Sequence, residues 1–173
     1  ALLCLGPTGC HSYRALPETG LAEAKAAVPA QRDVEAIADE YLSALLEYAP
    51  ELGTMYSLPG ARHDRLTDHS PEARAAWHAR EDAWLAELDA RGMPAEVGSR
   101  DWVTWGILRE TLAGAAGIRI CRNELWAASS MTAWHTSVPS LFEIQPVDTP
   151  ELRHQALQRL AALPRYIDVQ ISN

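Results

Sequence analysis

Several residue types are scarce in this sequence, and their scarcity argues against certain kinds of protein and binding partner. There is one Phe, three Cys and, among 15 basic residues, a single lysine at Lys25. Acidic residues number 23, so the formal charge is −8. Because nucleic-acid binding driven by counterion release needs a basic face, we expect no nucleic-acid partner. No run of about 18 apolar residues occurs, so the sequence predicts no transmembrane helix.

Alanine and leucine are abundant instead. The 173 residues contain 29 Ala and 21 Leu, the two residue types with high helix propensity. A chain of this length can bury the core of one domain. We therefore predict an all-α, mainly helical fold. The alternation of Ile118, Arg119 and Ile120 is compatible with one short extended segment near residues 118–121.

Four helical segments stand out from their apolar spacing and their caps. Ser70 followed by Pro71 predicts a helix start, and Gly92 predicts its end. Pro164 predicts a break after the fourth segment and the start of a further helix. Residues 127–149 are rich in Ser, Thr and Pro, which predicts a long loop with at most one helical turn. The predicted helices cover residues 33–48, 70–92, 99–117 and 149–163.

The N-terminus has the pattern of a lipoprotein signal. Residues 1–10 are mildly apolar and end in Thr8-Gly9-Cys10, the small-small-Cys order that precedes a lipidated cysteine. Pro7 departs from that pattern, and a simple apolar N-terminus is the alternative. We expect lipid on Cys10, with residues 11–32 as a flexible tether. This predicts an exported protein, anchored by its lipid to a membrane in the periplasm or at the cell surface.

Sequence signatures of catalysis are missing. None of the six His begins His-Glu-x-x-His, and neither a Gly-x-Ser-x-Gly elbow nor a phosphate-binding loop occurs. The segment from His63 to His69 holds two His and two Asp, a set that offers metal ligands. Arg62 directly precedes that segment and Arg65 lies inside it, so a polar loop is the preferred interpretation and a metal site the alternative. We assign no catalytic and no metal-binding residue, and we interpret Cys121 as a buried structural thiol.

Two tryptophans differ from the rest. Four of the six tryptophans, Trp77, Trp84, Trp102 and Trp105, have helical spacing and are predicted to pack in the core. Trp126 and Trp134 instead flank the Ser/Thr-rich stretch. An aromatic ring with a polar N–H suits a pocket wall. We therefore consider Trp126 and Trp134 as cleft residues, with ordinary packing as the alternative.

Several short motifs together resemble a bacterial family known as the "domain of unknown function 885". The resemblance extends from Asp33 to Asn173. The motifs are Asp39-Glu40-Tyr41-Leu42, Pro50-Glu51-Leu52-Gly53-Thr54, Leu58-Pro59-Gly60, Glu124-Leu125-Trp126, Trp134, Gln145-Pro146 and Leu163-Pro164-Arg165-Tyr166-Ile167-Asp168.

The resemblance implies a function for the parent protein. Members of the family are largely helical, often exported or lipid-anchored, and similar to gluzincin-type zinc metallopeptidases. Their zinc-binding helix, His-Glu-x-x-Pro-Gly-His, lies downstream of the matched region, so no metal or catalytic residue is carried over. Zinc is expected only for the full-length parent. There it would polarise the scissile carbonyl and activate a water molecule.

We therefore expect residues 33–173 to be the N-terminal part of a larger helical domain. Its partners would be the rest of its own polypeptide and a peptide-like substrate, and alone it would be inactive. Trp126, Trp134 and Gln145 are the candidates for lining the substrate cleft. The alternative is a complete small helical lipoprotein that acts as a binding or scaffold module. A self-contained metal enzyme built on the His63 to His69 segment is a third interpretation.

Overall fold

A computed structural model describes residues 32–125 and 133–172. Residues 31–173 belong to one compact unit. Over the described ranges the chain has no strand, which confirms the all-α prediction. None of the helices there is long and apolar enough to cross a membrane. The helices are α1 (Val34–Tyr48), α2 (Glu51–Met55), α3 (Pro71–Arg91), α4 (Arg100–Ile118), α5 (Trp134–Glu143) and α6 (Pro150–Ser172), with 3₁₀ turns at Arg119–Cys121 and Asn123–Leu125.

The core lies where α1, α3 and α4 pack against one another. The predicted apolar stripes of these three helices face this core. Burying one leucine such as Leu88, which is 0% exposed, contributes about 2 kcal/mol. The buried members are Ile37, Ala44, Trp77, Trp84, Leu88, Leu108 and Leu112.

Tryptophan rings occupy much of this core. Trp77 and Trp84 are buried, as predicted, and Tyr41 packs edge-on against Trp84 with ring centroids 5.5 Å apart. Their indole N–H groups donate to carboxylates, Trp77 to Glu81 at 2.8 Å and Trp84 to Glu40 at 3.3 Å. The core predictions for Trp102 and Trp105 hold only in part, because both side chains are half-buried. The Trp105 N–H donates to the Leu88 carbonyl at 3.1 Å. The buried Trp102 N–H, in contrast, has no hydrogen-bond partner among the described residues.

The predicted start and end of α3 are confirmed, and Ser99 caps α4. Ser70 Oγ accepts from the Ala73 N–H at 3.3 Å, and Ser99 Oγ accepts from the Trp102 N–H at 3.2 Å. Gly92 ends α3 with φ of +76°, a left-handed conformation that glycine adopts without strain. These three residues fix where α3 begins and ends and where α4 begins.

Helix α6 is held by polar contacts to the segment 61–69. Arg159 reaches the backbone of that segment, and Arg165 donates to Asp68 at 3.2 Å. The ring of Tyr166 packs edge-on against His69, with centroids 5.4 Å apart. The segment predicted as a polar loop therefore fixes α6 in place.

Four local predictions are wrong. The segment near residues 118–121 is not extended, because α4 continues to Ile118 and a 3₁₀ turn follows. Helix α5 forms inside the predicted loop 127–149, and α6 runs unbroken through Pro164. The thiol of Cys121 is exposed rather than buried. The first three differences concern secondary-structure propensity, which tertiary context can override.

The apolar spacing that predicts the fourth helical segment does not give the buried face of α6. Leu157 and Leu160 are 64% and 51% exposed, whereas Arg159 between them is 0% exposed. The inward face is instead centred on Arg159, with Leu152, Leu163 and Tyr166 half-buried on the same side. The predicted signal segment, Cys10, most of the tether and Trp126 lie outside the described residues.

Candidate substrate cleft

An open cleft of about 1330 Å³ lies beside the core. Its walls come from α3, the end of α4, the two 3₁₀ turns, the start of α5 and the end of α6. The residues that matter to the chemistry below are Tyr48, His69, Arg74, Trp77, Glu81, Arg119, Arg122, Glu124, Trp134 and Tyr166. A smaller cavity of about 490 Å³ lies beside the N-terminus of α6.

Aromatic rings form one part of the cleft wall. Tyr48 stacks on Trp77 with ring centroids 4.6 Å apart, and His69 packs against Tyr166. Burial lowers the pKa of His69 and raises the pKa of the Tyr48 and Tyr166 hydroxyls. All three side chains are therefore uncharged near neutral pH. They offer apolar surface with polar edges, which suits the side chains of a peptide.

Arg119 is anchored in the wall by α3. Its guanidinium donates to Glu81 at 2.9 Å, to Asp82 at 2.8 Å and to the His78 carbonyl at 3.3 Å. Partial burial disfavours its charge, but the hydrogen bonds to Asp82 and Glu81 outweigh that effect and raise the pKa of Arg119. The ion pairs fasten the first 3₁₀ turn to α3 and leave Arg119 little capacity to bind a ligand.

A second charged group lies around Glu124. Arg122 Nε donates to its carboxylate, and Arg74 Nη1 lies 3.7 Å from the same carboxylate. The hydrogen bond from Arg122 lowers the pKa of Glu124. Of the charged groups in the wall, three are guanidinium groups and two are carboxylates. Asp82, which pairs with Arg119, adds a third carboxylate beside the wall, so the guanidinium groups and carboxylates are equal in number.

The structure separates the three candidate cleft residues. Trp134, the first residue of α5, lines the cleft, and its contact with a substrate stays a prediction. Gln145 does not line the cleft, because this residue is only 8% exposed. Its side-chain oxygen accepts a hydrogen bond from Arg159, and its side-chain N–H donates to the His63 carbonyl. Trp126 lies outside the described residues.

Arg159 is a central residue that the sequence analysis missed. Its guanidinium donates to Thr54 Oγ1 at 2.9 Å and to Gln145 Oε1 at 2.6 Å. It also donates to the carbonyls of Arg65 at 2.9 Å and Arg62 at 3.4 Å. Burial lowers its pKa, although the charges of Glu51 and Asp64 act in the opposite direction. Its burial could have been predicted from its spacing in the sequence, because Arg159 lies on the same helical face as Leu152, Leu163 and Tyr166.

Arg159 and its neighbours hold four chain segments together. Gln155 of α6 accepts from the His63 N–H at 2.9 Å. Glu51 of α2 accepts from both the N–H and the hydroxyl of Thr67 at 2.7 Å. Together with Arg159, these bonds connect α2, the segment 61–69, Gln145 and α6. They position the segment that carries His69, and hence one wall of the cleft.

The described residues do not fit a zinc ion. Across residues 32–125 and 133–172, no three His, Cys, Asp or Glu side chains converge on one point. His63 Nδ1 lies 2.8 Å from Thr54 Oγ1, and Asp64 forms an ion pair with Arg62. The segment from His63 to His69 is thus engaged in bonds within the protein, and no chemical step through zinc is derived from these residues.

Comparison with known proteins identifies the family. A family model described as a bacterial protein of unknown function, DUF885, matches residues 47–173. The match begins at the end of α1 and includes α2 to α6 and all the cleft residues named above. A search of curated proteins finds no match. The chain belongs to the DUF885 family of bacterial proteins.

Proposed function

We propose that this chain forms substrate-binding walls of a zinc-dependent peptidase or amide hydrolase of the cell envelope. The catalytic zinc and its ligands are supplied by another part of the same polypeptide. The residues described above bind and orient the substrate, and the chain of 173 residues is inactive alone. The resemblance of the family to zinc metallopeptidases is the source of the reaction class.

The observation that carries this proposal is the cleft itself. Its volume of about 1330 Å³ exceeds that of a usual small-molecule pocket and has room for several residues of a peptide. Aromatic rings beside arginines and carboxylates provide apolar contact, hydrogen-bond donors and acceptors. The described part of the wall contains no set of metal ligands. The apolar surface and the hydrogen-bonding groups of this wall support a role in substrate binding.

The decisive experiment compares two proteins. One is the product of the whole reading frame that contains these residues, and the other is the 173-residue chain. Both are incubated with a fluorogenic peptide library, with and without a zinc chelator. We expect hydrolysis only by the first protein, lost on chelation and restored by zinc. Absence of hydrolysis by both would overturn the proposal in favour of a binding or scaffold module.

Trp134→Ala tests the role of the cleft in the active protein. Removal of the indole deletes apolar contact with the substrate but touches no catalytic group. We expect KM to rise about tenfold, the equivalent of about 1.4 kcal/mol of binding, while kcat changes little. Val103→Ala on the outer face of α4 is the control and leaves both constants unchanged. Equal kinetics for Trp134→Ala and the wild type would remove Trp134 from the site.

We further propose that the protein is exported and anchored through lipid on Cys10. The order Thr8-Gly9-Cys10 supports this proposal. Cys10→Ser should abolish labelling by a palmitate analogue in cells and release the protein from the membrane fraction. Cys121→Ser, which changes the exposed thiol of the folded part, is the control. It should retain both the labelling and the presence in the membrane fraction. Labelling that survives Cys10→Ser would exclude this anchor.

A further inference from the structure

Arg122 has an unusual backbone conformation in the cleft wall. It connects the two 3₁₀ turns with φ of +49° and ψ of +50°, the left-handed region. That conformation is unfavourable for a residue with a Cβ and is usually occupied by glycine or asparagine. A non-glycine residue held there often lies at a ligand-binding site. Arg122 lines the cleft, and its side chain is 62% exposed.

The guanidinium of Arg122 has unused hydrogen-bonding capacity. Its Nε donates to Glu124 Oε1. Its two terminal nitrogens have no hydrogen-bond partner in the part of the chain that the structure describes. Those two N–H groups form the planar fork that binds both oxygens of a carboxylate. Glu124 holds the arginine from one side and leaves the fork available from the other.

The ion pairs in this part of the wall leave the terminal N–H groups of Arg122 able to bind an anion. Glu124 is shared between Arg122 and Arg74, so one carboxylate faces two guanidinium groups. Arg119 is already matched by Glu81 and Asp82. An anionic group on a ligand would pair with the terminal N–H groups of Arg122 without breaking its ion pair with Glu124.

We propose that Arg122 binds a free carboxylate of the peptide substrate. This inference rests on the proposed function of the cleft and adds its substrate class: peptides that carry a carboxylate. The aromatic rings of the same wall, Tyr48, Trp134 and Tyr166, accommodate apolar side chains of that peptide. The carboxylate comes from the C-terminus or from an acidic side chain, and both sources present the same two oxygens to the guanidinium.

Binding to the 173-residue chain tests this inference without any need for hydrolysis. Three acetylated tripeptides are titrated by calorimetry. The first ends in Phe with a free C-terminus, the second is its amide, and the third is the amide with Glu at the middle position. We expect the free acid to bind at least tenfold more tightly than the amide. Tighter binding of the Glu peptide than of the plain amide would identify an acidic side chain as a second source.

Three variants assign the effect to Arg122. Arg122→Gln should abolish the preference for the carboxylate while the amide binds as before. Arg122→Gly should also abolish the preference for the carboxylate. It should raise the urea concentration at the midpoint of unfolding, because glycine adopts the left-handed conformation without strain. Arg100→Gln, an exposed arginine paired with Glu35, is the matched control and should keep the preference.

The outcomes separate this inference from the proposed function. Equal binding of acid and amide by the wild type, or a preference that survives Arg122→Gln, would overturn the role of Arg122. Absence of binding by all three peptides would overturn it as well. Hydrolysis by the product of the whole reading frame is measured independently, so the proposed function stands or falls on its own result.

Discussion

At the residue scale, the least expected feature is a buried arginine that has no carboxylate partner within residues 32–125 and 133–172. Arg159 is 0% exposed, and its hydrogen bonds end on two carbonyls, a hydroxyl and an amide oxygen. A buried charge is tolerated only when its hydrogen bonds are satisfied. Each of those oxygens depends in turn on the arginine. Substitution therefore affects several buried groups at once.

Arg159→Met should destabilise the chain strongly. Methionine fills a similar volume but leaves Thr54, Gln145 and two carbonyls without their donor. We expect a loss of about 3 kcal/mol in the free energy of unfolding, measured by urea denaturation. Arg165→Met, an exposed arginine on the same helix, should lose less than about 1 kcal/mol. Similar losses for the two variants would show that the bonds of Arg159 do not stabilise the fold.

His63 should make the stability depend on pH. Burial and the nearby charge of Arg159 lower its pKa below the ordinary value of 6.5, while Asp64 opposes the shift. The unfolded chain therefore takes up a proton before the folded chain does. The stabilisation that comes from neutral His63 should be complete above about pH 6.5. The free energy of unfolding should then decrease as the pH falls toward the lowered pKa of His63.

The measurement is urea unfolding at pH 7.5 and pH 5.5. His63→Asn should reduce the difference between the two pH values, because the titrating group is gone. Part of the difference should remain, since burial also lowers the pKa of His69. His154→Asn, an exposed residue of α6, should retain the wild-type difference. An unchanged difference in His63→Asn would contradict this account.

At the scale of elements, the sequence predicts those helices that carry their own boundary signals. The structure confirms the helix starts at Ser70 and Ser99 and the helix end at Gly92. Helix α5 has no side-chain cap and contains Pro139, so nothing local distinguishes it from a loop. The position of Arg159 depends on hydrogen bonds to residues that lie 94 to 105 positions earlier in the sequence. Such contacts are not visible in a local pattern.

Pro164 is the element-scale case that can be measured. It lies inside α6, where its missing N–H leaves the Leu160 carbonyl without the usual helical bond. Pro164→Ala should restore that bond and stabilise the chain by about 2 kcal/mol. Pro150→Ala is the control, because a proline at the first helical position lacks no bond. Thermal unfolding in which Pro164→Ala gains no more than Pro150→Ala would contradict this expectation.

At the scale of the whole molecule, apolar side chains remain on the surface of α4 and α6. Ile107 and Ile118 on α4 are 64% and 54% exposed, and Leu157 and Ile171 on α6 are 64% and 73% exposed. Apolar surface of this kind favours association with other protein surfaces. In the proposed parent, further helices of the same polypeptide cover these faces.

The isolated chain should therefore self-associate. We expect light scattering to show a mean mass that rises with concentration through the micromolar range. Leu157→Ser with Leu160→Ser should reduce this rise and lower the free energy of unfolding by less than about 1 kcal/mol, because both residues are exposed. Ala156→Ser, a half-buried position on the same helix, serves as the control for the substitution. A monomer at every concentration would contradict the expectation.

The central claim, that the cleft binds peptide, is tested most directly by photo-crosslinking. A tripeptide with a free C-terminus and a photoreactive phenylalanine analogue is irradiated with the 173-residue chain, and the attachment sites are mapped by mass spectrometry. We predict attachment at cleft residues, foremost Trp134 and Tyr166, and competition by the unlabelled peptide. Attachment confined to the small cavity at Arg62 and His154, or to the outer face of α4, would contradict the account.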